Sequence, residues 1–415
     1  MRSGEAFLDI VWRQFQRNRA AYWSLWLLVP IFLLAIFAPL IASNLPFVFH
    51  DGSETIYPWL SGLLNPRENV DFAFNMALLG FVPWVVLAWV TNWFCRQRGW
   101  SGRGRLGLAV LEYTAIIIAL CAAFAAAPPY GLRPLNAYQS RSFPQEQFQS
   151  EGKSYGVYPP VPFGPTEIDL DARFEPPLFR KPRDRWLEGN DGFVHLLGTD
   201  KTGRDVLVQM LYGTRISMTV GFVAVGIYLA LGIVLGALAG YFGGKTDMLV
   251  SRVIEVVMLF PSLFLILTLV ALIGRSVYII MVVIGITGWP SIARLVRGEV
   301  LKQRAIEYTL AARALGSSSL RIVFRHILPN ALSPVLVAAP FGIAGAIITE
   351  ASLSLLGFGV EPPTPSWGTL LYQGHSNYHN WWLIVVPSVG IFLVVTLLNL
   401  VGSGLRDAMD PKLRA

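Results

Sequence analysis

Eight apolar runs dominate this sequence, and each is long enough to cross a lipid bilayer. They lie at 22–42, 72–94, 106–127, 216–241, 248–273, 277–295, 331–358 and 381–401. A hydrocarbon core is about 30 Å thick and a helix rises about 1.5 Å per residue, so a span takes roughly 20 apolar residues. Lipid offers no hydrogen bonds to the backbone, so runs of this length enter it as helices. The reading is an all-α polytopic membrane protein. Composition supports it: 54% of residues are hydrophobic and 14% are charged, where a soluble domain carries about 25% charged residues. That balance excludes a disordered chain and argues against a water-soluble enzyme. A polar segment precedes the first run, which is also too long for a signal-peptide core, so it reads as a retained span.

The formal net charge is +7. In a membrane chain, basic residues first report orientation, so the excess gives no ground for a nucleic-acid partner. Arg2, Arg13, Arg17 and Arg19 precede the first span, and Arg96, Arg98, Arg103 and Arg105 follow the second. Lys245 and Arg252 flank the turn after the fourth. Arg294, Arg297, Lys302, Arg304, Arg313, Arg321 and Arg325 crowd the loop after the sixth, against Glu299 and Glu307. Arg406, Lys412 and Arg414 close the chain. With eight spans all of these fall on one side, which the positive-inside rule makes cytoplasmic, with both termini there. The short opposite loops carry Arg67 and Arg275, 359–380 carries no basic residue but its histidines, and the charges of the long opposite segment 128–214 are mixed and nearly balanced. If 72–127 were a re-entrant pair, the remaining orientation would stand. Cys95 and Cys121 make neither a disulfide framework nor a zinc site. The outer segment 128–214 is rich in proline and aromatics, and reads either as an irregular cap with short strands or as a plain connector.

Few residues suggest chemistry. Ala239-Gly-Tyr-Phe-Gly-Gly-Lys-Thr246 resembles a relaxed P-loop, but a span precedes it where a phosphate loop needs a strand. The glycines more simply turn the chain between two spans. His375 and His379 have i, i+4 spacing without a third ligand. Glu350 lies well inside the seventh span, either as a pathway or gating carboxylate or as a structural hydrogen-bond partner of a neighbouring helix. Arg252 and Glu255 can pair at i, i+3.

The basic loop 298–330 is the most informative stretch. Residues 305–315 favour a helix, Gly316 supplies a left-handed stop, Ser317 or Ser318 can cap a second helix, and Pro329 is expected to end it. Leu310, Leu315, Ile322, Val323 and Phe324 would then need cover, from a protein partner or the membrane surface.

Ala311-Ala312-x-x-x-Gly316 with Leu328-Pro329 resembles the EAA coupling-loop signature of ABC importer permeases. Leu310 stands where the motif has its first glutamate, and His326 where many members have isoleucine. Leu197-Gly-Thr-Asp-Lys-Thr-Gly-Arg-Asp205 and Leu211-Tyr-Gly-Thr-Arg-Ile-Ser217 resemble the C-type dipeptide and oligopeptide permeases. So do Glu350-Ala-Ser-Leu-Ser-Leu-Leu-Gly357 and Pro362-Pro-Thr-Pro-Ser-Trp-Gly368. Asn18-Arg-Ala-Ala-Tyr-Trp-Ser-Leu-Trp26 and Asp51-Gly-Ser53 are similar to the Yej subgroup, associated with microcin C and other peptides.

The resemblance implies a type I ABC importer permease in a bacterial inner membrane, and not an enzyme. Its organisation would be a six-span-type core plus an inserted helix pair: 1–71, a cytoplasmic N-terminus with the first span and outer loop; 72–127, the inserted helix pair; 128–214, a periplasmic proline-rich loop; 215–405, the permease transmembrane core with the coupling loop 298–330; and 406–415, a cytoplasmic tail. Leu310, Ala311, Ala312, Gly316, Leu328 and Pro329 would couple to an ATPase. Gly198, Thr199, Asp200, Gly203, Arg204 and Asp205 would form a periplasmic gate or a binding-protein contact, or else a local cluster that caps the fourth span. The implied partners are a homologous second permease, two ATP-binding-cassette subunits or domains, a periplasmic peptide-binding protein and membrane lipid. ATP and Mg would bind the ATPase subunits, with no cofactor on this chain. A stand-alone secondary transporter would call for inverted repeats, and a membrane enzyme for convergent catalytic groups; neither pattern is evident.

Overall fold

The structure, a computed structural model, describes residues 7–50, 55–64, 69–97, 102–126, 155–180 and 194–410. Arg2, Asp51–Ser53, Arg67, Arg98, residues 127–154 and 181–193, Lys412 and Arg414 lie outside the described residues. The chain divides into two units: Met1–Ile31 with Ile216–Pro362 and Ser366–Ala415, and Phe32–Arg215 with Pro363–Pro365.

Helix α1 (Phe7–Arg17) precedes the first span α2 (Arg19–Ile41). Asn18 separates them and caps α2, its Oδ1 accepting from the Ala21 N–H at 3.2 Å. Val11 and Phe15 of α1 are buried with Ala21 and Ala408. The amphipathic spacing of α1 thus serves packing against the chain's last helix, a role the charge pattern alone does not reveal.

In the second unit, strands β1 (Val48–His50) and β2 (Thr55–Ile56) follow α2, and β1 also pairs antiparallel with β3 (Tyr155–Val157). Helices α3 (Pro58–Leu64), α4 (Asn69–Gln97) and α5 (Gly102–Ala126) lie between them in sequence. Trp84 Nε1 of α4 donates to the Ala109 carbonyl of α5 at 2.7 Å, and the Tyr113 hydroxyl donates back to Ala77 at 2.9 Å. Strands β4 (Phe179–Arg180) and β5 (Val194–His195) form a second small ladder. Phe163 packs with Ala38, Ala42, Val208 and Tyr212, so part of the proline-rich segment belongs to a hydrophobic core.

Helix α6 (Val206–Phe242) is 37 residues long and begins ten residues before its apolar run. A turn at Gly243 and Gly244, with φ of 69° and 54°, leads into α7 (Gly244–Leu259). The run at 248–273 is not one straight helix. Helix α8 (Ser262–Ile273) starts after Pro261 and is bent 86° from α7. Pro261 has no N–H to continue the ladder, and it pushes Phe260 to an extended φ, ψ of −84°, 131°.

Helix α9 (Val277–Arg304) packs along the C-terminal half of α6. A Cβ added at Gly232 would meet Ile292, one at Gly236 would meet Ala293, and one at Gly240 would meet Val300; Gly285 abuts Ile227. Residue numbers rise together along this seam, so α6 and α9 run parallel. A chain that leaves α6 and begins α9 in the same direction must recross between them. The bent α7–α8 pair is therefore a crossing, and with the seven long apolar helices it completes eight spans among the described residues.

Helix α9 extends to Arg304, beyond the end of its apolar run, and is followed by α10 (Glu307–Ala314). Next come a short turn α11 (Ser319–Arg321), a π-helical stretch Ile322–Ile327 and α12 (Leu328–Ala331). Helices α13 (Ser333–Leu355), α14 (Trp367–Ser376) and α15 (Trp382–Met409) complete the chain.

Candidate coupling loop and buried polar clusters

Helix α10 closes as a Schellman motif. Gly316 takes φ of 77°, its N–H bonds to Arg313 O, and the Ser317 N–H reaches Ala312 O at 3.1 Å. Among the motif residues, Leu310, Ala311, Gly316 and Pro329 are exposed, while Ala312 and Leu328 are buried. Ala312 and Thr309 share the inward face of α10. The Thr309 hydroxyl donates to Gln303 O at 2.9 Å, which ties α10 to the end of α9. The Tyr308 hydroxyl donates to Gln303 Oε1 at 2.5 Å and accepts from Asn330 Nδ2 at 3.3 Å.

Three sequence expectations for this loop need correction. Pro329 does not end the second helix. The π-helical stretch before it shifts the ladder, so that Leu328 N–H bonds to Val323 O. Pro329 then falls in the first turn of α12, where a missing N–H is tolerated. Ser318 holds the N-cap position of α11 but makes no side-chain cap. Nor are all five apolar residues without cover: Ile322 and Val323 are buried within the chain, whereas Leu310 (49% exposed), Leu315 (86%) and Phe324 (65%) are not. Leu320 joins them at 65%.

The loop rests on a basic framework. Arg297 of α9 holds Asp247 of α7 through both nitrogens of its fork, Nη2 lying 2.7 Å from Oδ2. Arg304 Nη1 donates to Tyr241 O at 2.8 Å. Arg252 and Glu255 pair at 2.6 Å on an exposed face.

The segment 198–205 folds inward as a buried network. Asp200 Oδ1 accepts from the Thr202 N–H and hydroxyl and from the Arg204 N–H. Its Oδ2 accepts from Arg204 Nε at 2.8 Å and from Gln209 Nε2 at 2.9 Å. Arg204 Nη1 reaches Pro363 O at 3.2 Å. Asp205 caps α6, with Oδ1 accepting from Val208 N–H, while Oδ2 lies 2.8 Å from His195 Nδ1. The Thr199 hydroxyl donates to Ala172 O at 2.6 Å and accepts from Glu175 N–H. Gly198 and Gly203 take φ of 77° and 75°. Asp200, Thr199, Arg204 and Asp205 are each less than 10% exposed.

Glu350 is fully buried in α13. It accepts from the Ser354 hydroxyl at 2.8 Å, from Ser217 of α6 at 3.4 Å, and from Ser366, the N-cap of α14. His375 lies in α14, which ends at Ser376, so His379 does not share its helix face.

Sequence reasoning missed Arg215. Its side chain is fully buried and bonds to Asp71, Asn75 and two carbonyls of α2. The available signal was an ionisable residue at the edge of an apolar run.

Residues 232–415 match the family described as binding-protein-dependent transport system inner membrane component, and residues 6–59 match the N-terminal TM domain of oligopeptide transport permease C. The inner membrane ABC transporter permease protein YejE of Escherichia coli (strain K12) is 31% identical over 401 residues, 96% of each chain. The chain belongs to the binding-protein-dependent transport permease family.

The dipeptide transport system permease protein DppC of Alkalihalophilus pseudofirmus is 41% identical to this permease over 222 residues, 53% of this chain and 73% of its own. An inward-facing MetNI methionine ABC transporter chain is similar over 49% of the permease and 97% of that chain, with 19% identity and a TM-score of 0.40. By its family and its apolar spans, the permease is a multi-pass component of a transport system rather than a catalytic subunit. The matched segment 232–415 holds the α10 loop and Glu350, whereas 198–205 and Arg215 fall outside both matched segments.

Proposed function

We propose that this permease forms half of the translocation path of an ATP-driven peptide importer. The observation that carries the reading is the exposed face of the α10 loop. Leu310, Leu315, Leu320 and Phe324 lie uncovered there, with Arg313, Arg321 and Arg325 exposed among them. Apolar anchors interspersed with arginine are the composition of a protein interface. The occupant is an ATP-binding-cassette subunit, which binds ATP and Mg itself and moves α10 when it closes.

A homologous permease supplies the other half of the path, and an extracytoplasmic binding protein delivers the peptide. The peptide class follows from the relatives, named as dipeptide, oligopeptide and di/tripeptide transport permeases. The positive-inside distribution sets both termini and the α10 loop in the cytoplasm of a bacterial inner membrane. The 198–205 segment then lies outside. Its burial supports a role in fixing the outer end of α6, with the neighbouring surface left for the binding protein.

Replacing Leu315 by Asp tests the reading. Leu315 touches little of its own chain, so insertion and thermal stability should stay within about 0.5 kcal/mol of the parent. Co-purification of the ATPase and ATP-dependent peptide uptake into vesicles should both be lost. Retained co-purification would overturn the docking claim.

A further inference from the structure

A buried cation, Arg215, bonds to the N-terminal end of α4 in the helix pair α4–α5. Pro39 lies inside α2 and has no N–H, so the Ala35 carbonyl four residues earlier has no helical donor. Arg215 Nε donates to that carbonyl at 2.7 Å, and Nη2 reaches the next one, Ile36 O, at 3.3 Å. The other arm of the guanidinium turns to α4. Nη1 donates to Asp71 Oδ1 at 2.9 Å and to Asn75 Oδ1 at 3.1 Å. Asp71 and Asn75 are one helical turn apart and so present both acceptors on one face. Asn75 passes the connection on, its Nδ2 donating to Leu63 O at 3.0 Å. Tyr212 and Phe74 flank the guanidinium at 5.0 and 5.2 Å.

This anchor matters because lipid gives α4–α5 little reason to stay. Apolar tails solvate a helix as well as another apolar helix does, so association rests on close packing and polar bonds. Val82, Val86, Trp89 and Ile118 are all more than half exposed. Phe37 of α2 also meets Phe81 of α4, edge to face at 5.1 Å.

We propose that Arg215 is the positioning residue that locks the α4–α5 pair to α2 and α6, making the pair a fixed part of the moving permease rather than a peripheral appendage. Arg215 uses the vacancy that Pro39 leaves in the α2 ladder as one attachment and the Asp71–Asn75 face of α4 as the other. Removing it takes the guanidinium away from the Asp71–Asn75 face and leaves the Ala35 carbonyl without the donor that replaces Pro39 N–H, which favours separation of the helices.

The test uses the full transporter complex in vesicles, with Cys95→Ser and Cys121→Ser as background. A cysteine pair from Phe37→Cys and Phe81→Cys reports attachment of α4 to α2 by disulfide formation. A second pair, Ala77→Cys and Tyr113→Cys, reports whether the α4–α5 hairpin itself stays folded. R215M should lower the first cross-link at least tenfold and leave the second unchanged, with ATP-driven uptake falling in step. R215K, which keeps the charge but not the fork, should fall less on both counts.

A parental cross-link in R215M would overturn the proposal, as would a lost cross-link with parental uptake. If R215M fails to accumulate, D71N decides: a several-fold weaker 37–81 cross-link supports the lock, and an unchanged one sinks it. The attachment readout does not rest on the transport reading, so failure of one is distinguishable from failure of the other.

Discussion

Arg204 grips Asp200 with both arms of its fork, Nε and Nη2 each lying 2.8 Å from the same carboxylate oxygen. Both side chains are buried, so neither is free to exchange its partner for water. Asp200→Ala should therefore cost about 3–5 kcal/mol, the range for stranding one member of a buried pair. Unfolding of the detergent-solubilised protein checks it, and a loss below 1 kcal/mol would refute the assignment.

The same pair predicts a pH dependence. Burial by itself would raise the Asp200 pKa. The Arg204 charge and the hydrogen bonds from Thr202 and the Arg204 backbone outweigh burial and hold it below its ordinary value. Stability from a depressed carboxylate is present above its unfolded pKa of about 3.9 and is lost as pH falls through the folded value. The melting temperature should therefore show an acid-side loss beginning below about pH 4, and Asp200→Asn should remove that component.

Gly203 and Gly316 share a positive φ but not an environment. A Cβ at Gly316 meets nothing within 4 Å, whereas one at Gly203 would collide with the Asp169 carbonyl oxygen. Gly316→Ala should cost only backbone strain, about 1–2 kcal/mol. Gly203→Ala should cost distinctly more, and equal melting temperatures for the two variants would contradict the packing.

The glycines at 232, 236 and 240 let α6 approach the α9 backbone. Gly236→Val inserts a branched side chain against Ala293 and Val296. Overpacking of this kind costs about 1–3 kcal/mol. The expected result is a lower melting temperature, while Gly226→Val, with open space around it, should be nearly neutral.

Ser366 serves two groups at once. Its Oγ accepts from Thr369 N–H at 3.1 Å in a capping box, and its hydroxyl faces Glu350. Ser366→Ala should lose about 1 kcal/mol or more, the usual cost of a missing cap. Ser366→Thr should recover most of it, as read by thermal unfolding.

The sequence by itself determined the spans, the orientation signal and the left-handed stop at Gly316. Hydropathy and charge are summed over neighbouring residues, and the Gly316 turn needs only the backbone freedom of one position. By hydropathy 248–273 is one run; the structure breaks it at Pro261 with an 86° bend, although a proline inside an apolar run is a local signal that the ladder must fail. Tertiary structure alone decided the rest. It absorbed Pro329 into a helix through a π-helical stretch and buried Ile322 and Val323 while leaving Phe324 outside. It also set α6 parallel to α9. The Ala35 carbonyl lies 180 residues from the guanidinium that satisfies it. A buried polar group must find a partner somewhere, and the sequence states that need; which partner meets it depends on the three-dimensional packing that brings distant helices together.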